Sequence, residues 1–263
     1  MGAILRAFRA EAVKLRRTLA LWLAMIVPAA ILLLYFILYS RPSGAGLLSG
    51  RDAWLWITQN ALILWSMIML PMFAGLEAAL LAGLEHRSQG WKHLFALPLP
   101  RSSIYLAKLL VATLLIGLSM ASMFVWIYLT GKAIGLVNPQ VGFERAFPLL
   151  PIAVLILAVY LGSLFMISIY VWIATGWQSF VAPIAVAIVS VFLTLIISQT
   201  NFWWLFPWAL PGNVENAIFA SFAEPGNAYP LNFTAWRALA ISVGGYALVA
   251  LIGCRNVVRR DVL

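Results

Sequence analysis

Long apolar runs alternate with short polar ones along this chain, and the lengths of the runs set the architecture. Residues 18–40 are an uncharged stretch of 23 residues. As a helix rising ~1.5 Å per residue, it is long enough to cross a hydrocarbon core of ~30 Å. Ahead of it, Leu5, Phe8, Ala12 and Leu15 recur at steps of three and four among Arg6, Arg9, Lys14, Arg16 and Arg17. That spacing predicts a basic amphipathic helix over residues 1–17, lying on the membrane surface. A signal peptide is the competing reading, but the apolar run is long for one and no small-x-small cleavage site follows it.

A second run, 53–84, is interrupted only by Glu77; its 32 residues would reach ~48 Å as a helix, so part of it must bend or project from the membrane. A third span is predicted over 103–131, with Lys108 near one end and Trp126 and Tyr128 near the other. No charged residue occurs from Ala146 to Val214, a stretch of 69 residues that is too long for one crossing. Thr175-Gly176-Trp177-Gln178 divides it into spans at about 147–174 and 180–198. The last span, about 235–254, runs into Arg255, Arg259 and Arg260. The pattern therefore predicts an all-α polytopic membrane protein of six transmembrane helices, with residues 1–263 forming one domain. Pro28, inside the first span, removes a backbone donor and predicts a kink there.

Composition agrees: 64% of residues are hydrophobic and 10% charged, against ~45–50% and ~25% in soluble domains. The net charge of +9 is carried at the ends of the apolar runs, so it points to membrane lipid and topology rather than to nucleic acid. With the N-terminus cytoplasmic, 12 of the 17 Lys and Arg face the cytoplasm: five in the first helix, four in the central loop and its flank, and three at the C-terminus. The positive-inside rule then places both termini and the 85–101 loop on that side. The single Cys254 excludes an internal disulfide.

The densest polar segment is Glu85–Arg101, EHRSQGWKHLFALPLPR. Trp91, Leu94 and Phe95 share one face of a helix over about 88–96, with Arg87, Lys92 and His93 flanking it. Pro98 and Pro100 end that helix, and Ser102 or Ser103 can cap the next. The run Glu85-His86-Arg87, Gly90-Trp91-Lys92, Leu97-Pro98 and Arg101, followed by Tyr105 and Lys108, resembles the loop after the second span in permease subunits of type-two ABC exporters. Within that superfamily it is most similar to the lantibiotic-immunity and bacitracin-export branch. The resemblance implies a cytoplasmic coupling helix that docks on a separate ABC ATPase subunit, which would hold ATP and Mg. The permease itself would bind no cofactor. The implied coupling positions are Glu85, His86, Arg87, Gly90, Trp91, Lys92, Leu94, Phe95, Pro98 and Arg101. It also implies a second permease subunit, identical or related, in the cell (inner) membrane, and a cargo of amphipathic peptide antibiotics, with small hydrophobic drugs or lipids as alternatives.

Other chemistry is sought and not found. No G-x-x-x-x-G-K-[ST] loop occurs, and Gly131-Lys132-Ala133 lacks the rest of that motif. His86 and His93 have no third ligand of metal type beside them except Glu85, and neither lies inside a span, so no metal or catalytic site is assigned. An ion-coupled secondary transporter is the alternative, but it calls for several ionisable groups at mid-membrane. The candidate intramembrane polar site is Glu77 with Lys108, and three readings of Glu77 stay open: it faces a watery cleft, pairs with a base such as Lys108, or reaches the interface. Residues 199–234 are expected outside the membrane, where Phe202, Trp203, Trp204 and Trp208 form a candidate substrate surface or an ordinary aromatic belt. The sequon Asn232-Phe233-Thr234 is too short a pattern to carry weight.

Overall fold

The computed structural model describes residues 2–15, 18–41, 52–87 (84–87 as backbone only), 100–177, 179–223 and 232–259, and no strand occurs among them. The helices are α1 (Ala3–Leu15), α2 (Ala20–Tyr39), α3 (Ala53–Leu64), α4 (Leu70–Arg87), α5 (Arg101–Val137), α6 (Leu149–Gly176), α7 (Val181–Ile197), α8 (Leu210–Ala223) and α9 (Phe233–Val258). A single π turn, Trp65–Met69, joins α3 to α4 and makes one long span of them. Among the described residues five spans are long and apolar enough to cross a membrane, and α7 is a further, shorter apolar helix. At 17 residues it extends only ~25 Å. The third span is longer than its hydropathy suggested: α5 has 37 residues and continues past Gly131 to Val137.

The bundle is built on α5 and α6. The first packs against α1, α2 and α9, the second against α8, α9 and α4, and α7 lies along α4. In a bilayer the hydrophobic effect does not draw helices together, so close backbone approach and interhelical hydrogen bonds must do it. Both are present. Pro28 lies on the buried face of α2, and because it has no N–H the Ala24 carbonyl loses its intrahelical donor. Ser122 of α5 stands beside it, its one hydroxyl proton shared between the Ala24 oxygen at 3.0 Å and the Ser119 oxygen of its own helix at 2.8 Å. Ser242 of α9 acts similarly on α6: its hydroxyl accepts from the Phe165 N–H at 3.2 Å and lies 2.7 Å from the Leu161 oxygen and 2.9 Å from that of Gly162.

At one end of the bundle Trp54 is clamped by aromatic rings. It meets Phe143 and Phe147 edge-on, at 4.8 and 4.9 Å between centroids, and donates from its indole nitrogen to the Arg145 oxygen at 3.1 Å. A Cβ on Gly131 would overlap the Trp54 ring, so α5 can pass the ring only as glycine there. The outward sides of α2, α7 and α9 carry exposed Trp22, Leu33, Val189, Phe192, Leu248 and Leu251. Such surface is costly in water and suits lipid.

Candidate functional site

The end of the bundle that carries the α4–α5 connection holds the candidate coupling region. Glu85, His86 and Arg87 form the last turn of α4, and Pro100 precedes Arg101, the first residue of α5. Gly90, Trp91, Lys92, Leu94, Phe95 and Pro98 lie outside the described residues, as does the expected helix over 88–96. What the structure shows is the base from which that connection springs. Lys108, two turns into α5, is buried, and its Nζ donates to Glu11 Oε2 of α1 at 2.9 Å and to the Leu81 oxygen of α4 at 3.2 Å. Lys14 meets the other Glu11 oxygen at 2.7 Å. One ammonium thus ties three helices together beside the α4–α5 connection.

This changes two expectations. The buried stripe of α1 is Ala7, Glu11 and Leu15, not the Leu5, Phe8, Ala12 and Leu15 stripe predicted from apolar spacing, and Leu5 is exposed. A carboxylate lies at its centre because Lys108 is there to receive it. Glu77 and Lys108 are not brought together as a pair. Glu77 is 1% exposed, and neither of its carboxyl oxygens is hydrogen-bonded to Lys108 or to any other group. Apolar spacing gives Glu11 no role. Its signal was available: it is the only carboxylate ahead of Asp52, at helical spacing from Ala7 and Leu15.

Below the ion pair, Tyr105 is packed so closely on α9 that a Cβ on Gly253 would overlap its ring. Beside it the ends of α6 and α9 enclose a cavity of about 310 Å³ lined by Trp172, Thr175, Trp177, Gly253 and Asn256.

The aromatic segment after α7 does not lie wholly at the rim. Pro211, at the start of α8, abuts Gly162, about half-way along α6, so the chain turns back into the bundle between α7 and α9. Trp208 goes with it: its ring meets Tyr170 at 5.8 Å and Phe206 at 5.1 Å. With Val186, Val189 and Leu193 of α7, Phe206 and Trp208 line an apolar recess of about 270 Å³. Phe202 is exposed, and Trp204 lies under the Arg237 guanidinium at 5.3 Å. Trp203, Trp204 and Trp208 are half-buried. Asn232 of the sequon caps α9, accepting from the Ala235 N–H at 2.9 Å, and donates to the Ala217 oxygen of α8 at 3.2 Å. No group of metal-ligating residues occurs among the described residues.

Residues 7–194 match the family described as ABC-2 family transporter protein. Comparison with curated proteins and with solved structures gave no match.

Proposed function

The chain belongs to the ABC-2 transporter family, the match covering residues 7–194, and on that premise we propose that it is the membrane half of an ATP-driven exporter. Membership makes it a multi-pass permease subunit that partners an ATPase subunit, and it speaks against a self-contained secondary transporter. In our reading ATP and Mg are held on that partner. The 85–101 loop is cytoplasmic, as are both termini, and Trp91, Leu94 and Phe95 dock on the ATPase, placed by Glu85, Arg87 and Arg101.

The observation that carries this reading is the Lys108 junction. A displacement of the α4–α5 connection is delivered at once to α1, α4 and α5, because the ammonium holds the Glu11 carboxylate and the Leu81 carbonyl together. Buried ion pairs of this kind resist separation, since breaking one leaves a charge in a poorly solvating environment. A push from a docked ATPase therefore moves the helices as a body.

A second permease subunit, this chain or a related one, completes the pathway in the cell (inner) membrane. The cargo we propose is an amphipathic peptide antibiotic of the lantibiotic or bacitracin kind. The apolar recess beside Phe206 and Trp208, open along α7, supports a cargo that partitions into lipid.

Copurification from native membranes tests the partnership: an ATPase subunit should be retained with the full chain, and its consistent absence overturns the proposal. Sensitivity assays on a deletion strain test the cargo. Loss of the permease should lower tolerance to cationic or cyclic peptides, and unchanged tolerance with altered export of an unrelated metabolite rejects the peptide assignment.

A further inference from the structure

Glu77 and Glu215 are both buried, at 1% and 0% exposure, and all four of their carboxyl oxygens lack hydrogen bonds. Glu77 belongs to a helix packed along its length. Glu215 is placed differently, one turn into α8, the helix that enters the bundle by its end.

That entry is a close fit at two glycines. A Cβ on Gly162 would stand 3.1 Å from Pro211 Cα, and one on Gly212 would stand 2.8 Å from Met67 Cγ and 3.1 Å from Ser66 Oγ. Contacts so short force a shift in the neighbour, so α8 reaches this depth only because both positions lack a side chain. The wall it meets is the π turn, a distortion often found where a helix must accommodate function. There Trp65 is fully buried, with its indole N–H unbonded. The joint thus holds an unused donor and an unused acceptor, which native interiors rarely tolerate.

The ionisable groups on the elements packed against α8 are engaged elsewhere or lie at the far end of the bundle. On α6, Tyr160 donates to the Thr113 oxygen and Tyr170 bonds Ser190. On α9, Arg237 lies over Trp204 and Tyr246 bonds Thr113, while Cys254 and Arg255 sit at the opposite end of that helix. Asp52, before α3, accepts from the Leu55 N–H, and the π turn and the turn Trp203–Leu205 carry no ionisable side chain. No described cation lies within ion-pair distance of Glu215.

We propose that Glu215 is a proton-binding residue that governs the seat of α8: it holds a proton while α8 is packed on α6 and the π turn, and releases it to water when the helix is displaced. The inference stands whatever the cargo and whether or not the ATPase assignment holds.

Burial raises the Glu215 carboxyl from 4.5 to about 8, because a carboxylate there would lose its hydration and gain no partner. The direction of the pH effect follows. Below 4.5 the carboxyl is protonated in both arrangements and the seat is at full strength. Between 4.5 and about 8 displacement releases one proton, so each pH unit favours the displaced arrangement by up to about tenfold. Above that the dependence ends.

The test places Ser66→Cys in a Cys254→Ser background, using the full chain in lipid nanodiscs and a small water-soluble thiol reagent. The labelling rate is divided by that of the same chain carrying Glu215→Gln, which cancels the pH dependence of the thiol itself. The ratio is expected to climb by up to about tenfold per unit from pH 5 to 8 and then level, with Glu215→Asp keeping the slope. If the glutamine variant does not fold, exposed Leu136→Cys serves as the thiol reference. A flat ratio, or no labelling of the glutamate form at any pH, overturns the proposal.

Discussion

Two junctions in this bundle bury a glutamate between helices, and they treat it in opposite ways. At the α1–α4–α5 junction Glu11 meets Lys108 at 2.9 Å and Lys14 at 2.7 Å, so each carboxyl oxygen has a cation. At the α8 junction Glu215 has neither a cation nor a hydrogen bond. The first arrangement holds only while the helices stay together, because separation strands a charge. The second is equally well served by separation, because water restores what the interior withholds. A transporter needs both kinds of joint: one to carry force without slipping, and one that can yield.

The comparison can be broken most directly at the first joint. Lys108→Ala should destabilise the chain by about 2–3 kcal/mol, short of the about 3–5 kcal/mol of a buried charge left wholly alone because Lys14 stays 2.7 Å from Glu11, measured as unfolding in mild detergent. A loss below about 1 kcal/mol would mean that the pair behaves like an exposed one. Next in size is the docking face. The Trp91→Ala, Phe95→Ala double variant should insert normally but lose about 2 kcal/mol or more of association with the ATPase, over tenfold in affinity. Unchanged copurification and transport would remove these residues from the docking assignment.

A smaller effect is expected where a hydroxyl completes a proline-broken helix. Ser122→Ala strands the Ala24 carbonyl opposite Pro28 and should cost about 1–3 kcal/mol, toward the lower end because one acceptor alone is lost. Ser122→Thr should recover it, and equal losses in the two variants would show that crowding at this seam, not the hydrogen bond, sets the stability. The smallest effect belongs to Glu215. At pH 4 the carboxyl is protonated whether or not α8 is seated, so Glu215→Gln should change stability there by less than about 0.5 kcal/mol. By pH 9, above the value of about 8 to which burial raises the group, the glutamine variant should be the more stable. A glutamine variant weaker than wild type at both pH values would show that the carboxyl has a partner after all.

Much of the fold was legible because run length against bilayer thickness is a one-dimensional quantity. The span predicted at 18–40 appears as α2, the one predicted at 180–198 appears as the shorter apolar helix α7, and the break at 175–178 falls where α6 gives way to α7. The amphipathic helix was legible in extent but not in facing. Hydrophobic spacing made Leu5, Phe8, Ala12 and Leu15 the apolar face of a surface helix, whereas a charge pair across 97 positions turned Ala7, Glu11 and Leu15 toward the bundle. The family resemblance rested on residues 85–108, and the match over residues 7–194 supports it at the level of the family.

What the sequence determined by itself is that this chain lives in lipid, how many times it can cross, and where its polar connection lies. Each follows from the cost of putting charge or unpaired backbone into hydrocarbon, a cost read off one residue at a time. The tertiary structure alone decided that Lys108 belongs to Glu11 rather than to Glu77, that Ser122 answers Pro28, and that α8 turns inward at Gly162 and leaves Glu215 without a partner. Those outcomes depend on which helices become neighbours. Neighbours inside a membrane are chosen by close packing and by matching polar groups across distant segments, and hydropathy along a single segment carries no record of either.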